Sequence, residues 1–338
     1  MKTTEEIQSF FESSLNAPIT EWVPLPQSGS ARKNFIATSR HQKYVVTYNE
    51  NARENNVFLY FSNLFSEQNA KTPKIFAVSD DELVYIQEFL GKNTLSEVIA
   101  NESLTPRVVT LVQKALDQLY SLQTKTQGKI DYKRTFEYES YDQLPVLNDL
   151  FYFKNFMVDI LELQYHKASL LKEFIEILSI VEALQPRGLM IRDFQARNIM
   201  VNNDDVFFID YQGAMEGPLM YDVISFLFQA KANFPQEFKK EMIDYYISKF
   251  QNHEDQVQLK KSVKWLQLMR FLQVLGAYGF RGLIQKKQHF IQSIDQGIIN
   301  LAELLDSWDE ANNFPELKSL VEQLQQPQIQ YKINIFTQ

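Results

Sequence analysis

Residues 190–210 constrain the fold of this chain more than any other stretch. Met190-Ile191-Arg192-Asp193-Phe194-Gln195-Ala196-Arg197-Asn198 reads as a short polar loop, and two apolar runs, 199–201 and 206–210, follow it. Between the runs lies Asn202-Asn203-Asp204-Asp205, residue types that favour turns. Runs this short, joined by such a turn, have room only for a small β-hairpin. The hairpin fixes three polar side chains in order: Asp193 and Asn198 before it and Asp210 at its end.

The surrounding periodicities divide the chain. Ile7, Phe10, Phe11 and Leu15 follow helical spacing over 4–15. The period then shortens. Trp22-Val23-Pro24-Leu25, a Ser/Gly turn and the runs 34–38 and 44–48 read as strand, tight loop, strand, strand. A helix is expected over 52–66, with Val57, Phe58, Phe61, Leu64 and Phe65 on one side, then a second hairpin from 75–78 and 83–87. Beyond Thr94 apolar residues recur at three-and-four spacing over 107–122, 168–184 and 262–280, so these segments are expected to be helical. The helical aromatics Phe226, Phe228 and Trp265 read as core. The expected organisation is a small β-rich lobe over 1–90 and a larger, mainly helical lobe over 91–338.

Asp193, Asn198 and Asp210 suit one chemistry when taken together. A carboxylate within reach of a hydroxyl can orient it and accept its proton. A carboxamide and a second carboxylate supply oxygen ligands of the kind Mg²⁺ takes beside substrate phosphates. Alone, each residue has an ordinary reading: an Asp in a turn, an Asn before a strand, an Asp ending one. Their order around one hairpin points to phosphoryl transfer.

The same residues carry a family resemblance. Arg192-Asp193 with Asn198 and Ile209-Asp210 resembles the aminoglycoside phosphotransferase and choline kinase superfamily, relatives of protein kinases. The form Arg-Asp-aromatic-X-X-Arg-Asn is most similar to its anomeric N-acetylmuramate/N-acetylglucosamine kinase branch. Ser28-Gly29-Ser30-Ala31-Arg32-Lys33-Asn34-Phe35 resembles that branch's nucleotide loop, and Gly217–Val223 the segment after its metal-binding Asp. Leu275–Gly282 resembles a motif of Bacteroidetes-type members.

The resemblance implies an α+β, protein-kinase-like bilobal fold using ATP and Mg²⁺. It implies Asp193 as catalytic base, Asn198 and Asp210 as metal ligands, and Ser28, Gly29, Ser30 and Arg32 around the phosphates. Glu88 would stand at a hinge whose backbone meets adenine. Asp149, in an acidic-aromatic segment, would contact the acceptor or else cap a helix, and Gln195 and Arg197 flank the base. Asp222 would brace the catalytic loop or cap the next helix. Glu54 takes the place of the glutamate that normally pairs a small-lobe lysine.

Departures narrow the resemblance. Ile191 and Gln195 stand where many members have histidines, and Thr47 stands where the lysine would fall. Arg32 or Lys33 is the candidate replacement. The acceptor implied is a small molecule, most closely the anomeric hydroxyl of an N-acetylated amino sugar. An aminoglycoside, choline or another small alcohol is the alternative, and a non-catalytic nucleotide-binding module the second. A sugar-1-phosphate nucleotidyltransferase is the expected functional neighbour.

Composition excludes other classes. The absence of cysteine removes disulfides, thiolate metal sites and a Cys nucleophile. The net charge of −8, without a long basic run, speaks against nucleic acid or an anionic membrane as partner. Neither a signal peptide nor a run of transmembrane length is found, so a cytoplasmic location is expected.

Overall fold

Alternating apolar residues between Lys33 and Tyr48 are the first strong β signal, and the computed structural model folds them into a hairpin. The structure describes residues 1–26, 31–229 and 232–335. Ser28, Gly29 and Ser30 therefore lie outside the described residues. The chain divides into two compact units, each discontinuous in sequence: Met1–Glu139 with Ile191–Ala214, and Ser140–Met190 with Met215–Gln338.

The first unit opens with helix α1 (Thr4–Leu15), started by a reciprocal cap between Thr3 and Glu6. Strands β1 (Glu21–Pro24), β2 (Lys33–Ser39) and β3 (Gln42–Tyr48), helix α2 (Ala52–Glu67), strands β4 (Ile75–Val78) and β5 (Val84–Glu88), and helices α3 (Leu95–Glu102) and α4 (Pro106–Lys125) follow. The strands form one antiparallel sheet, ordered β1-β2-β3-β5-β4. Side chains alternate between its faces. Phe35, Ala37, Val46, Tyr48, Val84 and Ile86 pack with Ile7 and Phe11 of α1. The next residues in register, Asn34, Thr47 and Tyr85, face the other way.

The expected small hairpin is present as β7 (Ile199–Asn202) and β8 (Asp205–Phe208), with Ile199 opposite Phe208. Its two turn residues, Asn203 and Asp204, have φ of 50° and 60°. These are the left-handed values of the tight turn that matches strand twist. The Val201 N–H donates to Asn93 O and the Phe208 N–H to Lys71 O, both at 2.9 Å. These bonds tie the hairpin to the segments flanking β4 and β5. This is why the compact unit runs past the expected boundary at residue 90 and takes in residues 191–214.

The second unit contains α5 (Gln143–Phe153), α6 (Lys167–Ala183), β6 (Arg187–Met190), β9 (Met215–Pro218), α7 (Met220–Leu227), α8 (Gln236–Ser248) and α9 (His253–Tyr278). It continues through α10 (Gln288–Ile291), α11 (Ile294–Asp306), α12 (Pro315–Leu324) and α13 (Pro327–Ile335). Strands β6 and β9 pair antiparallel with Met190 opposite Met215, so the excursion 191–214 leaves and returns at cross-strand neighbours. Phe226 is fully buried, as expected of a core residue, whereas Phe228 and Trp265 are half-buried, Trp265 lying edge-on to Trp308 at 4.5 Å. Among the described residues no helix is long and apolar enough to cross a membrane.

The helix expected over 262–280 starts earlier and ends in a wider turn at Gly279–Ile284, and Lys154–Val158 makes a similar turn after α5. The two stretches meet at glycines. A Cβ on Gly276 would stand 2.7 Å from the Phe153 nitrogen, and one on Gly279 2.1 Å from the Phe156 carbonyl oxygen. Neither backbone can yield cheaply, so Gly279→Ala is expected to lower unfolding free energy by about 1–3 kcal/mol, the usual cost of overpacking. Urea denaturation followed by circular dichroism measures it; a change below a few tenths of a kcal/mol would contradict the close approach.

Candidate active site

Asn198 is the joint on which the polar loop and the hairpin meet. Its N–H donates to Gln195 O at 2.8 Å, and its carbonyl accepts the Ile209 N–H at 3.0 Å. Its side-chain Nδ2 donates to the carbonyl oxygen of Asp193 at 2.9 Å. One residue thus holds Asp193 on one side and the residue before Asp210 on the other. The aromatic at 194 has a structural reason: Phe194 is 2% exposed and stands edge-on to Phe208 at 4.9 Å, pinning the loop to β8.

The backbone is strained at both ends of this arrangement. Arg192 has φ of 73° and Asp210 of 63°. Asp tolerates the left-handed region better than Arg does, so Arg192 is the costlier of the two. The Asp193 side chain is exposed, and among the described residues no hydrogen bond reaches its carboxylate. It is free to accept a hydrogen bond.

Asp210 is held by charge and by its neighbour. Arg32 Nη2 donates to Asp210 Oδ1 at 2.7 Å, and Gln212 Nε2 donates to the same oxygen at 3.0 Å. Arg32 Nε also lies 3.6 Å from Glu54 Oε1, while Asn49 Nδ2 donates to Glu54 Oε2 at 2.7 Å. The following Tyr211 is buried, stacks on Phe58 at 5.0 Å and shares a 2.7 Å hydroxyl bond with Ser62 of α2. Burial lowers the Arg32 pKa, but Asp210, Tyr85 and Glu54 outweigh it and leave it above its ordinary value. Burial likewise pushes the Tyr85 hydroxyl up to about 12, against the pull of Arg32 and Thr47.

The place of the missing lysine is filled by neutral groups. Thr47 is fully buried; its hydroxyl donates to Asn34 Oδ1 at 2.8 Å and accepts from Gln87 Nε2 at 3.2 Å. Of the two replacements weighed, Arg32 reaches the carboxylates, and Lys33 instead lies 6.0 Å over the Tyr48 ring. Glu54 has a cationic partner after all.

The residues present suit Mg²⁺. Asn198 spends its Nδ2 on Asp193, and among the described residues no bond reaches Asn198 Oδ1 or Asp210 Oδ2. A neutral amide oxygen and a carboxylate oxygen are a donor pair for a hard cation whose other ligands are water and phosphate. Among the described residues no group of three or more His, Cys, Asp or Glu forms an all-protein cage. The buried Gln212 Oε1 has no partner, a feature sequence reasoning did not single out.

Other expected site residues fall differently. The Glu88 N–H donates to Lys74 O at 2.8 Å, so that N–H is not left for a base, and its carboxylate accepts the Lys74 N–H at 3.2 Å. Gln195 is half-buried and Arg197 exposed. Asp149 and Asp222 belong to the second unit. Asp149 is 2% exposed and accepts the Tyr141 hydroxyl at 2.7 Å, so its carboxylate is committed inside the unit rather than offered to a sugar. It does not cap a helix either, because Asp142 caps α5. Asp222 is fully buried inside α7, whose cap position is Leu219, which removes the capping role.

Comparison with known proteins places these features. The model of a phosphotransferase enzyme family matches residues 21–259. An N-acetylmuramate/N-acetylglucosamine kinase of Neisseria meningitidis is 23% identical over 229 residues, or 65% of this chain and 66% of that protein, just under two thirds of its length. A choline kinase from Streptococcus pneumoniae superposes with a TM-score of 0.59 at 13% identity, over 88% of this chain and 99% of that one. A mutant aminoglycoside phosphotransferase APH(4)-Ia, solved with ADP and hygromycin B, gives 0.59 at 14% identity, over 90% and 99%. The fold is α+β, protein-kinase-like and bilobal, as expected.

If Arg32 neutralises both Asp210 and Glu54, Arg32→Gln will lower unfolding free energy by about 1–2 kcal/mol, less than a fully buried pair would cost. Asp210→Asn will then cost less in the Arg32→Gln background than alone. A double-mutant cycle by urea denaturation measures the coupling, and additive effects would show that the two charges are independent.

Proposed function

The chain belongs to the phosphotransferase enzyme family, and from that premise we propose that it is an ATP- and Mg²⁺-dependent kinase acting on the anomeric hydroxyl of an N-acetylated amino sugar. The observation that carries the kinase reading is the double attachment of Asn198, to Asp193 on one side and to the residue before Asp210 on the other. The acceptor class draws support from the 23% identical N-acetylmuramate/N-acetylglucosamine kinase.

In this reading Asp193 accepts a hydrogen bond from the acceptor hydroxyl. It takes the proton as that oxygen attacks the γ-phosphorus, the bond to the bridging oxygen breaks, and ADP leaves. Mg²⁺, when bound, offsets phosphate charge, and Asn198 Oδ1 and Asp210 Oδ2 are the atoms that would hold it. Arg32 fixes Asp210 against Glu54 and supplies the cation that the lysine at position 47 would otherwise provide. Ser28, Gly29 and Ser30, outside the described residues, are the assigned phosphate loop, and Gln195 and Arg197 border the acceptor. The product, a sugar 1-phosphate, is a substrate for a nucleotidyltransferase.

Asp193→Asn removes the proton acceptor without changing side-chain size. It is expected to lower kcat by about 10²–10⁴-fold while leaving the melting temperature and Mg-ATP binding unchanged. A coupled ADP-release assay with N-acetylmuramate, N-acetylglucosamine, aminoglycosides and choline checks both parts. Undiminished turnover by Asp193→Asn sinks the assigned base. ADP release with choline or aminoglycosides alone removes the amino-sugar acceptor and keeps the kinase.

A further inference from the structure

Among the described residues three buried side-chain atoms have no hydrogen-bond partner: Trp22 Nε1, Ser225 Oγ and Gln212 Oε1. Each needs a reason, because a buried polar group left unpaired destabilises the fold. Trp22 stacks on Phe35 within the sheet, and Ser225 is buried in α7 of the second unit. Gln212 alone of the three is bonded to a candidate metal ligand, the carboxylate of Asp210. Both residues belong to the first unit.

The chain fixes Gln212 from both sides. Tyr211 before it is buried and bonds Ser62. Ala214 after it is 1% exposed, and its N–H donates to Tyr211 O at 3.1 Å to close a turn. The Gln212 carboxamide has one workable orientation. Nε2 donates to Asp210 Oδ1 at 3.0 Å, and a flipped amide would set two acceptor oxygens against each other. Oε1 is therefore the atom left over, shielded from solvent on the same amide group. Arg32 also donates to Oδ1, so both side-chain donors to Asp210 act on that one oxygen. Two acceptor oxygens, Asp210 Oδ2 and Gln212 Oε1, are left that no group among the described residues donates to.

We propose that Gln212 is a positioning residue for the metal of the phosphoryl-transfer site. Its Nε2 holds Asp210 so that Oδ2 is the oxygen presented, and its Oε1 accepts a hydrogen bond from the hydration shell that the cation brings. Mg²⁺ usually keeps several of its waters, and those waters are donors. Partners that orient a ligand in this way set metal affinity although they never touch the metal. An ionised glutamate at 212 could not donate to Asp210, and a methionine offers neither the N–H donor nor the carbonyl acceptor. The inference rests on the Mg²⁺-dependent kinase reading and adds to it the residue that tunes its metal.

The test measures Mn²⁺ binding to the ADP-saturated full chain by electron paramagnetic resonance, for the wild type, Gln212→Met and Gln212→Asn. Mn²⁺ stands in for Mg²⁺ because both take octahedral oxygen ligands. ADP affinity in EDTA, by calorimetry, is the metal-free reference. Gln212→Met should weaken Mn²⁺ binding by about 10–100-fold, the usual loss when such a partner is removed, and leave metal-free ADP affinity at the wild-type value. Gln212→Asn keeps both groups on a shorter stem and should lose less. Where Gln212→Met does not fold, Gln212→Asn is read by the same two measurements. Unchanged Mn²⁺ affinity overturns the proposal, and so does an equal fall in Mn²⁺ binding and metal-free ADP binding, which marks a merely structural role; both leave the kinase reading standing. A wild type that binds no Mn²⁺ in the presence of ADP overturns the Mg²⁺-dependent reading as well.

Discussion

One guanidinium organises the charged part of the first unit. Arg32 stands between Asp210 at 2.7 Å and Glu54 at 3.6 Å. Both pairs are largely withdrawn from water, so the like charges of the two carboxylates depend on the cation between them. A surface ion pair is worth little, but a half-buried carboxylate left alone is costly, and this asymmetry makes the shared cation the fixed point. Everything else around Asp210 is arranged so that this pairing can persist. Thr47 and Asn34 fill the strand positions beside it with neutral groups, and Asn49 steadies Glu54.

Helix α2 turns that electrostatic arrangement into a mechanical one. Its first turn supplies Glu54, and its later turns supply Phe58 and Ser62. Phe58 stacks against both Tyr85 of β5 and Tyr211, each at 5.0 Å, and Ser62 bonds the Tyr211 hydroxyl. Asp210 is therefore held by its charge from one side and by its chain neighbour from the other. Its left-handed backbone costs of order 1 kcal/mol or more, and the buried, hydrogen-bonded Tyr211 offsets that cost. The strain and the anchor sit on adjacent residues.

Much of this was legible in the sequence, and the reasons for the misses are physical. The hairpin after Asn198 was visible because runs this short around Asn202–Asp205 have few other folds. Some helices and strands with clear periods were found within a residue or two, among them 52–66 against Ala52–Glu67 and 75–78 against Ile75–Val78, whereas the helix expected over 262–280 runs from His253 to Tyr278. The expected lobe boundary at residue 90 follows composition, whereas the compact unit follows the bonds from Asn93 and Lys71 to the hairpin and takes in residues 191–214. Asp149 was read as contacting the acceptor or capping a helix and Asp222 as bracing the loop or capping one; neither caps and both are buried, because sequence gives a carboxylate's position along a helix but not its burial. Tyr211 and Gln212 were missed, although an aromatic directly after Asp210 was a signal available in the chain. Glu88 was assigned from its place in order, and only the pairing of β4 with β5 reveals that its N–H is spent.

The choice of arginine at position 32 follows from geometry. A lysine on β3 would approach from Thr47, the centre of a polar row whose neighbours Asn34 and Gln87 already complete one another's hydrogen bonds. Arg32 comes instead from the residue before β2 and has to span to Asp210 and Glu54 together. An ammonium is a compact, strongly hydrated point charge on a flexible stem and is poorly suited to two partners in different directions. The planar guanidinium presents separate N–H edges, so Nη2 can bond Asp210 while Nε faces Glu54. Moving the cation from β3 to the approach of β2 therefore requires arginine, and it explains why a threonine at 47 is compatible with an intact Asp193, Asn198 and Asp210 set.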